Sequence, residues 1–188
     1  MSPNNYLFFD TETGGLDPRA HSLLSMGLVV GDASGVADSL EILVKHEPYM
    51  LSGGGMKVNR IDIARHDETA LTPHQALETM EKFLGRFFAP ETSIALVGHN
   101  VYFDRAFLEA FLASCGKELE PRFSHRLVDT HSIAAALRDA GRLKTTRLSS
   151  TGLFEFFGIH IPEGKRHTAL GDAIATYELY WKLVGLMK

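Results

Sequence analysis

Tyr6-Leu7-Phe8-Phe9 is a short apolar run that breaks at once into Asp10-Thr11-Glu12 and then into Thr13-Gly14-Gly15. An apolar run closed by a glycine pair reads as a buried β-strand running into a turn. Side chains alternate faces along a strand, so residues two apart point the same way. Asp10 and Glu12 therefore aim two carboxylates at one point, where they repel each other. The chain must bury this strand while leaving its acidic end open to a cation. Hard oxygen donors of this kind suit Mg²⁺ or Mn²⁺.

With 188 residues, positions 1–188 read as one domain with a substantial core. A hydrophobic content of 45% with 22% charged residues fits a soluble globular chain. No apolar run approaches the roughly 20 residues that cross a bilayer. Residues 1–5 lack the basic stretch and apolar core of a secretory signal. Cys115 has no internal partner for a disulfide, and no Cys/His set has zinc spacing. A cytoplasmic location without a membrane partner is therefore expected. The formal charge of −4 argues against nucleic-acid binding through bulk charge. Two divalent cations at the acidic site would cancel that charge.

Residues 22–32, with the apolar stretch Leu23 to Val30, read as a second strand. A third alternates through Leu40, Ile42 and Val44 after the turn-like Asp32-Ala33-Ser34-Gly35. Three early strands with short connections predict an antiparallel meander. Ser52-Gly53-Gly54-Gly55 reads as a flexible loop. Residues 73–88 place Leu77, Met80, Leu84 and Phe87 on one helical stripe. Residues 94–98 read as a short buried strand, and residues 104–115 as a helix facing inward through Phe107, Ala110, Phe111 and Ser114. A fifth strand is expected within 123–129 and a short helix over 130–139. A long amphipathic helix over 168–187 carries Leu170, Ile174, Tyr177, Trp181 and Val184 on its inner face. A meander followed by alternating helices and strands makes a mixed-sheet α/β domain with helices on both faces.

Two later segments carry further acidic and histidine residues. Gly98-His99-Asn100-x-x-Phe103-Asp104 lies where the fourth strand hands over to a helix, with Asp104 in the first helical turn. The positive helix end favours an ionised carboxylate there, and a plain capping role is the competing reading. In His167-Thr168-Ala169-Leu170-Gly171-Asp172, Thr168 reads as the N-cap and His167 as a loop residue. A loop histidine can reach over a site that Asp172 enters from the helix, and imidazole suits proton abstraction near neutral pH. His99 and Asp104 share the same His-x₄-Asp spacing. Spacing alone does not choose between His99 and His167 as a base.

Taken in order, Asp10-x-Glu12, Gly98-His99-Asn100-x-x-Phe103-Asp104 and His167-x₄-Asp172 resemble the three motifs of the DEDDh 3′→5′ exonuclease family. That family contains the proofreading subunit of the bacterial replicative DNA polymerase, ribonuclease T and oligoribonuclease. The resemblance runs from Tyr6 to about Leu186. It implies a ribonuclease H-like fold, with a five-stranded mixed sheet of three antiparallel strands followed by two parallel ones. It implies that Asp10, Glu12, Asp104 and Asp172 hold two Mg²⁺ or Mn²⁺ ions and that His167 is the general base. By the same resemblance, Leu16 wedges against the terminal base, and His99, Asn100 and Phe103 lie near the 3′-terminal nucleotide. Thr11, Thr13, Gly14, Asn59 and Arg166 complete the expected substrate contacts, with Lys165 beside Arg166 at the strand backbone.

Relatives carry His-Gly where this chain has Asn59-Arg60. The local positive stretch of Arg138, Arg142, Lys144 and Arg147 reads equally as a phosphate grip or as a solvated loop. The activity implied is release of nucleoside 5′-monophosphates from the 3′ end of single-stranded or frayed DNA. RNA is the alternative substrate, and a proofreading or DNA-repair complex a possible partner. A non-catalytic module that binds nucleic acid or a polymerase is the alternative of a different class.

Overall fold

The computed structural model describes residues 5–162, 164 and 166–188. Its centre is a five-stranded sheet in the order β3-β2-β1-β4-β5. Strands β1 (Tyr6–Thr13), β2 (Leu23–Asp32) and β3 (Gly35–Leu43) pair antiparallel. Strands β4 (Leu96–Gly98) and β5 (Val128–Asp129) continue parallel to β1. This is the ribonuclease H-like mixed sheet that the motif order implies.

β1 is the middle strand, and its alternation sorts the whole domain. Leu7 and Phe9 face one layer, built from α3 (Pro73–Leu84) and α4 (Tyr102–Ser114). Phe8 faces the other layer, where α7 (Ala169–Gly185) lies on the sheet. Asp10 and Glu12 continue the Phe8 side, and Thr11 continues the Leu7 side. On its outer side α7 packs against α5 (Thr130–Asp139) and α6 (Ser150–Phe157) through Ala175, Leu179 and Leu183.

A close approach sets where α7 begins. Gly27 pairs across from Asp10, and a Cβ on Gly27 would run into the backbone of Ala169 and Leu170. Without a side chain at Gly27, the N-terminus of α7 rests directly on β2, beside the acidic end of β1.

Several expectations are corrected. Ser52 to Gly55 is not a flexible loop. Ser52 caps α1 (Gly53–Asn59), its hydroxyl accepting from Gly55 N–H at 3.1 Å. Glycine in a helix costs roughly 0.5–1 kcal/mol relative to alanine, yet a Cβ on Gly55 would come within 2.7 Å of the Gly14 carbonyl oxygen. Close packing therefore outweighs propensity here. α2 (Ile63–Asp67), capped by Asp62, and α6, capped by Ser149, were not expected as helices at all.

α3 stops at Leu84, so Phe83 and Phe88 are buried while Phe87 is only partly so. In α4, which begins two residues earlier than expected, Leu108 and Leu112 replace Ala110 and Ser114 beside Phe107 and Phe111, because packing against the sheet and α3 selects that of the two possible stripes. Contrary to the single stripe predicted for α7, Ile174 is exposed while Ala173, Thr176, Leu179 and Leu183 are buried. A helix packed between a sheet and two other helices has no single inner face. β5 shrinks to two residues, with Phe123 reduced to an isolated bridge to Ile94. Among the described residues, no helix is long and apolar enough to cross a membrane.

Candidate active site

At the C-terminal end of β1, Asp10, Glu12 and Asp172 converge. Each offers a carboxylate oxygen within 4.8 Å of those of the other two. Asp10 and Glu12 arrive from alternate positions of β1, and Asp172 from the first turn of α7. The cap residue Thr168 accepts there from Gly171 N–H at 3.1 Å. Glu12 is only 8% exposed. Burial, followed by the charges of Asp172 and Asp104, pushes its carboxyl up to about 8. Burial and the same neighbours hold Asp10 well above the ordinary carboxylate range. Asp172 is also raised, because burial outweighs the lowering effect of Arg166. Asp172 Oδ1 is buried with no hydrogen-bond partner among the described residues. Crowded, desolvated carboxylates with a spare oxygen fit a divalent cation of the Mg²⁺ or Mn²⁺ class.

Asp104 reaches the same cleft from the opposite side of the sheet. It lies in the first turn of α4, whose N-cap, Val101, makes no side-chain cap. Its carboxylate accepts from Thr11 N–H at 2.9 Å and from Thr11 Oγ1 at 2.7 Å. It is therefore not a helix cap but a tie between α4 and β1. Burial raises its carboxyl to about 7 against the lowering effect of those two bonds. Thr11 faces α4 because it is the odd residue between Asp10 and Glu12, and that separates Asp104 from the three-carboxylate group.

His167 precedes the α7 cap in the left-handed region, at φ 61°. It lines the cleft, half-buried. Burial, and then the nearby positive charges of Arg166 and Arg60, lower its imidazole below the usual value. His99 lines the cleft too, but its Nδ1 lies 2.9 Å from Thr130 Oγ1. Burial pushes His99 down to about 4. His99 is thus tied through Nδ1 to Thr130, whereas His167 stands in the loop that precedes α7.

The cleft encloses about 790 Å³, within the range of small-ligand sites. Thr13, Leu16, Asn59, Asn100, Phe103 and Arg166 also line it. Leu16 is 83% exposed at its mouth. Asn59 is buried, donating to the Thr13 carbonyl oxygen at 2.9 Å and accepting from Ile61 N–H at 3.1 Å. Thr13 Oγ1 is engaged with the Gly15 carbonyl oxygen at 2.7 Å. Gly14 stands behind the wall, its N–H donating to the Ser22 carbonyl oxygen and its own carbonyl oxygen accepting from Ser52. Asn100 is exposed at φ 59°, its N–H donating to Asp129 Oδ1 at 2.7 Å.

Sequence reasoning missed Ser52, Gly54, Ser150 and Thr151, all of which line the cleft, as does Val58 of the expected contact stretch Met56 to Ile61. Ser149, a cap-type residue ahead of the apolar Leu153-Phe154, was the available signal for the α6 pair. None of Arg138, Arg142, Lys144 and Arg147 lines the cleft, and the three arginines are engaged elsewhere: Arg138 pairs with Asp139, Arg147 with Glu155, and Arg142 donates to the Leu186 and Met187 carbonyl oxygens. Lys165 lies outside the described residues.

The raised carboxyls give a stability test. Their folded-state values lie above the unfolded ones, so the folded state resists ionisation. Stability contributed by the protonated cluster is present below the ordinary carboxylate range and is lost as pH rises from about 4.5 towards about 8. A cation binds the ionised form and replaces the proton. The gain in Tm on replacing EDTA by Mn²⁺ is therefore expected to be larger at pH 8 than at pH 5. A gain independent of pH would sink the assignment of these carboxylates to a cation.

A family model described as an exonuclease matches residues 7–180. DNA polymerase III subunit epsilon of Treponema pallidum is 28% identical over 94% of this chain and 74% of its own length. Ribonuclease T of Haemophilus ducreyi is 25% identical over 97% of this chain and 86% of its own. A DNA polymerase III subunit epsilon-like protein of Rhodobacter capsulatus is 30% identical over 97% of this chain, which spans only 24% of that protein. Among solved structures, the nuclease domain of 3′hExo, a DEDDh family member bound to rAMP, superposes with a TM-score of 0.78 at 14% identity, over 98% of this chain and 93% of that one. E. coli exonuclease I in complex with single-stranded DNA gives a TM-score of 0.78 at 18% identity, over all of this chain and 41% of that one.

Proposed function

Because this chain belongs to the DEDDh exonuclease family, we propose that its described cleft removes nucleoside 5′-monophosphates from the 3′ end of single-stranded or frayed nucleic acid. One observation carries the reading: three carboxylates converge within 4.8 Å in a cleft that His167 also lines. The whole chain acts in this reading as one exonuclease domain.

Asp10, Glu12 and Asp172 would hold the catalytic cations, with Asp104 in support from the other face of the sheet. When bound, two divalent cations polarise the scissile phosphate, lower the pKa of the attacking water and stabilise the leaving oxygen. The rest is done by the chain itself. Burial and the charges of Arg166 and Arg60 lower the pKa of His167, which favours its neutral, proton-accepting form. It takes the proton from the attacking water as general base. It stands in the loop just before the α7 cap, among the residues that line the cleft. Leu16 and Phe103 offer apolar surface to the terminal bases, which favours sequence-tolerant binding of an unpaired end.

The likeness to DNA polymerase III subunit epsilon supports a polymerase or repair complex as the setting. The relatives named ribonuclease T and oligoribonuclease keep RNA as the second substrate reading. The deciding experiment is digestion of matched, end-labelled single-stranded DNA, mismatched and paired duplex DNA, RNA and dinucleotides, with Mg²⁺ or Mn²⁺ and with EDTA. Stepwise loss of 3′ nucleotides that EDTA stops is expected. Release from the 5′ end, or cleavage unaffected by EDTA, would overturn the reading.

A further inference from the structure

Arg166 reaches directly into the acidic cluster. Its Nη1 donates to Asp172 Oδ2 in an ion pair. The same guanidinium is moored on α6: Nη2 donates to Thr151 Oγ1 at 2.8 Å and lies 3.4 Å from Ser150 Oγ. Its central carbon sits 5.3 Å from the Phe154 ring centroid, a cation–π contact. The Arg166 and Asp172 side chains are only 27% and 15% exposed, so solvent screens the pair weakly. The positive charge is felt beyond Asp172, since it also pulls down the carboxyls of Asp10 and Glu12 against their burial.

A divalent cation held by Asp10, Glu12 and Asp172 would share the Asp172 carboxylate with this guanidinium. Two cations at one carboxylate in a poorly screened cleft repel each other strongly. The mooring on α6 does not depend on Asp172, so the guanidinium can leave the carboxylate while Thr151 and Phe154 still hold it in the cleft. A phosphate oxygen is then the natural replacement partner, because the guanidinium fork matches phosphate as well as carboxylate.

We propose that Arg166 is a resident counter-cation that competes with the divalent metal for Asp172 and is drawn off by the substrate phosphate, so that metal loading and nucleotide binding assist each other. This rests on the exonuclease reading of the same cleft. The coupling is reciprocal: whatever factor the phosphate adds to metal affinity, the metal adds to phosphate affinity. The device lowers metal affinity in the empty cleft and restores it when a phosphate arrives.

The test is isothermal titration of the full, metal-stripped chain with Mn²⁺ at pH 8, with and without thymidine 5′-monophosphate. Wild type is compared with Arg166→Ala and with Arg166→Gln, which removes the charge but keeps a polar, hydrogen-bonding side chain. Circular dichroism and melting in EDTA establish that each variant is folded. Without nucleotide, folded variants are expected to bind Mn²⁺ about tenfold or more tightly than wild type, the effect of losing one charge-assisted contact. The nucleotide should strengthen Mn²⁺ binding more in wild type than in either variant. Folded variants with wild-type or weaker Mn²⁺ affinity overturn the proposal, as does an equal nucleotide effect in all three proteins. Failure here leaves the exonuclease reading intact if wild type still shortens 3′ ends. An inactive wild type with the predicted titrations would retire that reading and leave the competition standing.

Discussion

Asp10→Asn is expected to stop nucleotide release while leaving a folded protein. Asp10 lies towards the C-terminal end of the central strand, across from Gly27, with Glu12 on its own face and Asp172 coming down from α7. Asparagine keeps the shape and removes the charge. The remaining carboxylates cannot enclose a cation as three do, and an amide is a far weaker ligand for a hard ion. The loss of rate should be at least as large as the roughly 10²–10⁴-fold given by a single acid–base catalyst. Stability should move the other way. Asp10 is held well above its ordinary range by burial and by Asp104, Asp172 and Glu12. Removing the charge relieves that repulsion, and Tm in EDTA at pH 8 should equal or exceed that of wild type. End-labelled oligonucleotide digestion and thermal melting read the two effects separately. Full activity in Asp10→Asn would exclude the cation-dependent reading. A collapsed Tm would show instead that Asp10 holds the fold.

His167→Asn is expected to lower the rate by about 10²–10⁴-fold while leaving Mn²⁺ binding near wild type. Asparagine is the informative replacement because position 167 sits at φ 61°, a region that asparagine tolerates better than most residues. The backbone is therefore preserved while the base is lost. The wild-type pH profile should show its acid limb below the ordinary histidine range, since burial and Arg166 lower the imidazole. That limb should disappear in the variant. His99→Ala is the control. Its ring is tied to Thr130 and pushed down to about 4 by burial, so the variant should lose stability more than chemistry. A larger rate loss in His99→Ala than in His167→Asn would mean that the base had been assigned to the wrong ring.

Much of the site was legible because it follows from short-range rules. The alternation of β1 puts Asp10 and Glu12 on one face whatever surrounds them. A threonine before an apolar helix caps it and leaves the preceding residue in a loop, which is where His167 lies. The role of Asp104 was less legible. Its place in the first turn of α4 could be read, but its bonds to Thr11 join segments far apart in the chain. The contribution of α6 was not legible either. Ser150 and Thr151 come to the cleft only because α6 packs on α7 through Leu153 and Phe154. The Gly53–Gly55 helix start defied propensity for the same kind of reason, since a side chain at Gly55 would have met Gly14.

The sequence by itself determined the order of the acidic motifs, the sheet built around β1 and the face on which the carboxylate pair would appear. Those properties depend on periodicity and on caps, which act over a few residues. Only the tertiary structure decided which carboxylates meet, that His99 is tied to Thr130, and that Arg166 rather than solvent faces Asp172. Each of these depends on distances between elements remote in the chain; for Asp172, the missing side chain at Gly27 lets α7 settle onto β2 beside Asp10.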